Sequence, residues 1–141
     1  MPIVTDTGFR ADDLDHGFTA PDALPANGPI AIDLGPDADL APVLARLGDA
    51  TAIRVAFPSF ADGRGFTIAR QLRRAGFTGR LRAAGHVLAD QYAMARRAGF
   101  DEVEIDDALA ARQPEDQWRA RADWRAHDYQ ARLGRRPDAA A

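Results

Sequence analysis

The chain contains no cysteine, which removes disulfides, thiolate metal sites, Cys-ligated iron–sulfur clusters and cysteine nucleophiles from consideration. It also contains no lysine, so all 18 basic residues are arginine, and Schiff-base chemistry and a P-loop lysine are excluded with it. No apolar run near the start resembles a signal peptide, and no stretch of about 18 apolar residues occurs. Secretion by that route and membrane spanning are therefore not expected, and a cytoplasmic location fits. At 141 residues and net charge −3, a single domain spanning 1–141 is expected, large enough to bury a core without staples.

Charge is uneven along the chain. Residues 1–50 hold nine acids and two arginines, whereas residues 63–89 hold no acid and six arginines: Arg64, Arg70, Arg73, Arg74, Arg80 and Arg82. A local basic field attracts anions or an acidic partner. The plainer alternative makes Arg70, Arg73 and Arg74 the solvated back of a helix. Nucleic acid is not expected, because the total is acidic and aromatics do not interleave with the basic residues.

Residues 1–29 form a lead-in. Ile3-Val4, Asp6-Thr7-Gly8 and Phe9 suggest a small hairpin, and Pro21, Pro25 and Pro29 keep the rest irregular. A βα core is expected over 30–112. Strands are expected at Pro29–Leu34, Ala52–Phe57, Arg80–Ala84 and Glu102–Ile105. Helices alternate with them: one capped by Asp39 with Leu40, Val43, Leu44 and Leu47 on its face, one over Phe66–Ala75, and one after Gly85-His86 with Val87, Leu88, Met94, Ala95 and Ala98 inward. A short helix follows around Asp107–Arg112. Pro114 with Glu115 and Asp116 starts a last helix over 113–133, with a tail at 134–141. The pentapeptide RRAGF occurs at Arg73–Phe77 and again at Arg96–Phe100, one βα unit apart. The fold class is α/β, with a small parallel sheet of about four strands, half-barrel-like or open, and helices mainly on one face.

That last expectation comes from parity. Alternate strand side chains point to opposite faces. One face collects Ile30, Ile32, Leu34, Ile53, Val55, Phe57, Leu81, Ala83, Val103 and Ile105. The other collects Asp33, Arg54, Arg80, Arg82, Glu102 and Glu104. A parallel sheet covered by helices on both faces reads as continuous apolar runs instead. Two roles fit the charged row Asp33, Arg54, Arg82 and Glu104: a structural ion-pair ladder, or a site for an anion or partner. The face is open, the polar concave side of a half-barrel, or covered by the acidic N-terminal segment or a second subunit.

Further candidates sit in the loops after the strands. Asp62, Gly63, Arg64 and Gly65 lie where α/β proteins bind ligands, before a helix start with free N–H groups. A dinucleotide site does not fit: Ile68 stands at the third glycine position and the loop is too long. Asp62 serves as a helix-entry cap or turn former, or as a functional acid. His86 serves as a surface cap or an acid–base group. His86 and Asp90 are spaced i, i+4 but lack a third ligand, so no metal is expected, and no cofactor either. Gln91 falls on an inner helical face and needs a polar partner, either a strand-end carbonyl or a ligand in the site. Trp124 lies off the stripe Trp118, Ala122, Ala126, Tyr129 and Leu133, as an interface anchor or packed on a loop.

The run F-P-S-F-A-D-G-R-G-F-T-I-A-R-Q-L-R from Phe57, with G-R-L-R-A-A-G-H-V-L-A-D-Q from Gly79 and R-A-G-F-D-E-V-E from Arg97, resembles bacterial domain-of-unknown-function family 934. Its members are labelled as oxidoreductases of sulfite reduction and lie among genes for assimilatory sulfate reduction. Phe57, Pro58, Phe60, Asp62, Gly63, Arg64, Gly65, Gly85, Asp90 and Gln91 match its signature. Two departures stand out: Ala98 replaces a frequent cysteine, and His86 stands where Asp also occurs. The resemblance implies a role in cysteine biosynthesis and carries over no catalytic residue. Three readings follow. The first is an accessory protein that binds sulfite reductase or its electron donor. The second is a small enzyme or binding domain for an anionic sulfur metabolite, using the strand-end loops. The third is a homodimeric subunit with the polar face buried.

Overall fold

The computed structural model describes residues 2–14 and 17–124. A hairpin opens it: β1 (Ile3–Thr5) and β2 (Gly8–Arg10) are antiparallel around Asp6-Thr7. Within the hairpin, Gly8 takes positive φ, at 122°. Four parallel strands follow: β3 (Ile30–Leu34), β4 (Ala50–Phe57), β5 (Arg80–Gly85) and β6 (Glu102–Glu104). Between them run α1 (Ala41–Leu44), α2 (Arg64–Arg74) and α3 (Tyr92–Ala98). Two short helices come after β6, α4 (Asp107–Arg112) and α5 (Glu115–Arg119).

The sheet has six strands in the order β2-β1-β6-β5-β4-β3 and is open. The parallel sheet has four strands, as the sequence predicts. The lead-in hairpin extends it by two, because β1 pairs antiparallel with β6 through Val4 and Val103. Each parallel strand is added on the same side of the last. With crossovers of one hand, that order puts every connecting helix on one face.

The apolar side chains of β3–β6 form one buried cluster with Val43 of α1, Phe66, Ile68, Ala69 and Leu72 of α2, Tyr92, Ala95 and Ala98 of α3, Leu109 and Trp118. Each large aliphatic side chain buried there contributes about 1.5–3 kcal/mol. The two RRAGF copies end α2 and α3 in the same manner. Gly76 and Gly99 take positive φ, and Phe77 and Phe100 are buried.

Three helices depart from the sequence pattern. Residues after His86 stay extended (Leu88 ψ 157°), and a 3-10 turn at Ala89–Gln91 precedes α3. This resets the helical phase, so Tyr92 joins Ala95 and Ala98 in the core and Met94 is exposed. The helix capped by Asp39 is one turn of α-helix followed by a 3-10 turn at Leu47–Asp49, and Leu44 is exposed. The helix after Pro114 ends at Arg119. Trp118 is buried edge-on to Tyr92, and the chain then turns so that Arg121 reaches Asp90. Residues 120–124 are not helical, and the rest of the expected helix and the tail lie outside the described residues, including Ala126, Tyr129 and Leu133 of the expected stripe.

Candidate functional site

The charged face of the sheet is a continuous ion-pair network. Arg54 reaches Asp33 with two nitrogens (3.1 and 2.8 Å) and Glu104 at 3.2 Å. Arg82 donates to Glu102 (2.6 Å) and Glu104 (2.9 Å), and Arg80 adds a second guanidinium on Glu102 (2.7 Å). Register explains this: Asp33, Arg54 and Arg82 are successive parallel partners, as are Arg82 and Glu102. Arg10 of the hairpin adds a 2.9 Å bond to Glu102 from the antiparallel edge.

The N-terminal segment covers this face. It leaves β2 at one edge of the sheet and reaches β3 at the other, where Thr19 and β3 exchange backbone bonds of 2.8 and 2.9 Å. On the way Asp12 bonds both terminal nitrogens of Arg82 at 3.1 Å, and Asp13 bonds those of Arg80 at 3.2 and 2.8 Å. The Phe18 ring lies 4.3 Å from the Arg54 guanidinium and 5.5 Å from that of Arg82, a cation–π contact with both.

Only 1% of the Arg82 side chain is exposed. Burial works against its charge, but hydrogen bonds to Asp12 and Glu102 outweigh burial and push its pKa up. The hydrogen bond to Asp33 raises that of Arg54, against burial. The Arg82 and Arg80 hydrogen bonds lower the carboxyls of Asp12 and Asp13 respectively. Asp12, Asp13, Arg80 and Glu102 thus complete a row that parity begins, and Phe18 closes it. Parity gives Arg80 and Glu102; the two aspartates and Phe18 have no periodic signal.

The strand-end loops gather at one end of the sheet. Asp62 and Arg64 form a clamp, with Arg64 donating from Nη2 (2.6 Å), Nε (2.9 Å) and its backbone N–H (3.1 Å). The Arg64 side chain and backbone donors bring the Asp62 carboxyl down to about 2. An acid of that strength carries no proton to give at neutral pH. Arg64 also pairs with Asp37 after β3. Gly65 gives the Phe57 ring its room, since a Cβ there would come 2.5 Å from it. Gly63 takes ordinary φ, and a Cβ there would make only an ordinary contact with the Phe66 ring at 4.0 Å.

Gly85 at the end of β5 has φ 112° and abuts the Phe57 carbonyl, which accepts the His86 N–H at 2.9 Å. His86 is exposed, its ring 4.9 Å from that of Phe60, and it does not begin a helix. Gln91 joins the two loops. Its Oε1 accepts the Leu88 N–H and its Nε2 donates to the Phe60 carbonyl, both at 2.9 Å. Asp90 points elsewhere, to Arg121 at 2.8 Å. Trp124 lies against Arg96 (4.8 Å) with its indole N–H toward Asp6 (3.4 Å). A cavity of about 320 Å³ beside Arg64 is lined by Pro36, Asp37, Thr67 and Gln71. Among the described residues no three histidine or carboxylate side chains converge as a metal site, and no helix is long and apolar enough to cross a membrane.

The basic run of the sequence therefore divides in space. Arg80 and Arg82 belong to the charged face and Arg64 to the strand-end loops. Arg70, Arg73 and Arg74 lie on α2, and with Arg97, Ala98 and Gly99 of the α3 end they border a cavity of about 440 Å³.

A family model described as a bacterial protein of unknown function, DUF934, matches residues 31–139. No curated protein and no solved structure matches the chain.

Proposed function

This chain belongs to DUF934, the bacterial family of unknown function, and on that premise we propose that it is an accessory protein of assimilatory sulfite reduction, docking to the reductase or its electron donor. The pathway comes from the resemblance of the Phe57–Gly65 and Gly79–Gln91 segments to proteins of sulfate assimilation. The docking role rests on one observation: the residues that match the family signature at the strand ends hold the fold together. Asp62 is clamped by Arg64, Gly65 and Gly85 accommodate Phe57, and Gln91 ties one loop to the other. These contacts leave the Asp62 carboxylate ionised and engaged within the fold. The same reading puts the protein in the cytoplasm, where that pathway operates.

The test is direct binding of the full-length protein to purified sulfite reductase and to its electron donor. Retention of one of them with a salt-dependent affinity is the expected outcome. Retention of neither, together with a large rise in Tm on adding sulfite, sulfate or an adenylyl sulfate, would favour the metabolite-binding reading. The cavity beside Arg64, Thr67 and Gln71 is the observation that favours this second reading. The homodimer reading starts from a polar face in need of a cover, and Asp12, Asp13 and Phe18 of the same chain lie on that face.

A further inference from the structure

The two RRAGF copies place chemically identical arginines in opposite situations. In each copy the first arginine turns back under the helix end. Arg73 donates to the Phe77 and Gly79 carbonyls at 3.0 and 2.9 Å, and Arg96 to the Phe100 carbonyl at 2.5 Å. The second arginine is one residue on, about 100° further round the helix, and points to solvent. Arg74 and Arg97 are both exposed, and both border the cavity between the ends of α2 and α3. Arg70, one turn earlier on α2, borders it too.

Arg70, Arg74 and Arg97 make no ion pair or side-chain hydrogen bond among the described residues, in a protein where Arg10, Arg54, Arg64, Arg80, Arg82 and others all meet a carboxylate. Asp101, the carboxylate that Arg73 reaches at 2.9 Å, also accepts the Leu81 N–H at 2.9 Å. Helix dipoles account for cations in a last turn, which covers Arg74 and Arg97. They do not account for Arg70, and like charges at i, i+4 weaken a helix by about 0.2–0.5 kcal/mol.

We infer that this groove is the surface on which an acidic protein partner docks, with a row of carboxylates seated on Arg70, Arg74 and Arg97. This deepens the docking reading by naming its surface and the charge of the partner. The exposure of the three side chains selects that class of occupant. A guanidinium in water gains at most about 1 kcal/mol from a single exposed ion pair, so a free oxyanion touching one or two of them is held weakly. A carboxylate-bearing protein surface meets all three at once, excludes water from the groove, and is steered to it by their summed field.

The experiment measures fluorescence anisotropy of a labelled oligoglutamate peptide with the full-length protein at low and at physiological salt. The comparison is between wild type, R70Q/R74Q/R97Q, and a control, R112Q/R119Q, that removes two other exposed arginines. The groove variant is expected to weaken binding about tenfold or more, corresponding to about 1.4 kcal/mol, and the control less than about twofold. Equal binding by the groove variant and wild type overturns the inference, and so does an equal loss in the control. Displacement of the peptide by sulfate, and not by chloride at matched ionic strength, also overturns it by assigning the groove to a small oxyanion. Binding of purified sulfite reductase separates the two levels. If the reductase binds the groove variant as tightly as wild type, docking stands and this surface is wrong. If oligoglutamate needs the groove while reductase and donor both fail to bind, the surface stands and the pathway partner is wrong.

Discussion

Two arginine-rich regions of this protein use the same side chain in opposite ways. On the charged face of the sheet, Arg54, Arg80 and Arg82 are each held by two or more carboxylates, and Asp12 and Asp13 of the N-terminal segment lie over Arg82 and Arg80. At the ends of α2 and α3, Arg70, Arg74 and Arg97 border a groove with no carboxylate of their own among the described residues. Arginine content alone does not separate a scaffold from a binding surface. What separates them is whether the chain brings its own acids to meet the charge. Desolvated guanidiniums must be matched internally, because an unpaired buried charge is costly. Exposed ones need no match, so leaving them unpaired costs little and keeps them available.

The contrast can be broken most sharply at Arg82. Arg82→Met leaves Glu102 and Glu104 as buried charges short of a partner, and a loss of about 3–5 kcal/mol in urea unfolding is expected. A variant as stable as wild type would show that the ladder does not hold the face, and loss of partner binding in such a variant would move the functional site onto it. Arg54 is half-buried and keeps one edge in water, so Arg54→Met should cost less, about 1–3 kcal/mol by the same measurement.

Acid should act on the covered face before the groove. The folded-state carboxyls of Asp12 and Asp13 lie below the unfolded value of 3.8, so their contribution is complete above that value and is lost as pH falls through their folded values. Asp33, Glu102 and Glu104 share the same guanidiniums from the sheet side. The expected sign is loosening of the N-terminal segment below about pH 3.8, seen as faster hydrogen exchange of the Thr19 amide while β4 stays protected. Equal loss of protection in both would mean that the cover and the sheet open as one unit. The smallest effect belongs to the groove: R70Q, R74Q and R97Q should each shift stability by no more than about 0.5 kcal/mol in urea unfolding. A larger loss would make these arginines part of the scaffold.

Much of this architecture was legible residue by residue. Alternation in Ile30–Leu34, Ala52–Phe57 and Arg80–Ala84 separates the two faces of the sheet before any contact is known, because side-chain direction in a strand is a local property. Gly76 and Gly99 end their helices where expected for the same reason. Local periodicity failed at Met94, where one 3-10 turn changed the phase of the helix. It failed again after Arg119, where long-range contacts of Trp118 and Arg121 redirected the chain. Gln91 was legible as a polar residue in need of a partner, but its two partners, Leu88 and Phe60, depended on how two loops meet.

The sequence by itself determined the α/β class, the charged parity of one sheet face, the helix stops and the family-matching loop Phe57–Gly65. Each of these depends on neighbours a few residues apart. Only the tertiary structure decided that the N-terminal hairpin joins β6, that Asp12, Asp13 and Phe18 close over Arg54, Arg80 and Arg82, and that Arg74 and Arg97 face one groove. Asp12 and Arg82 are 70 residues apart in the chain, so their pairing follows from the path of the backbone across the sheet and is not written in the spacing of either.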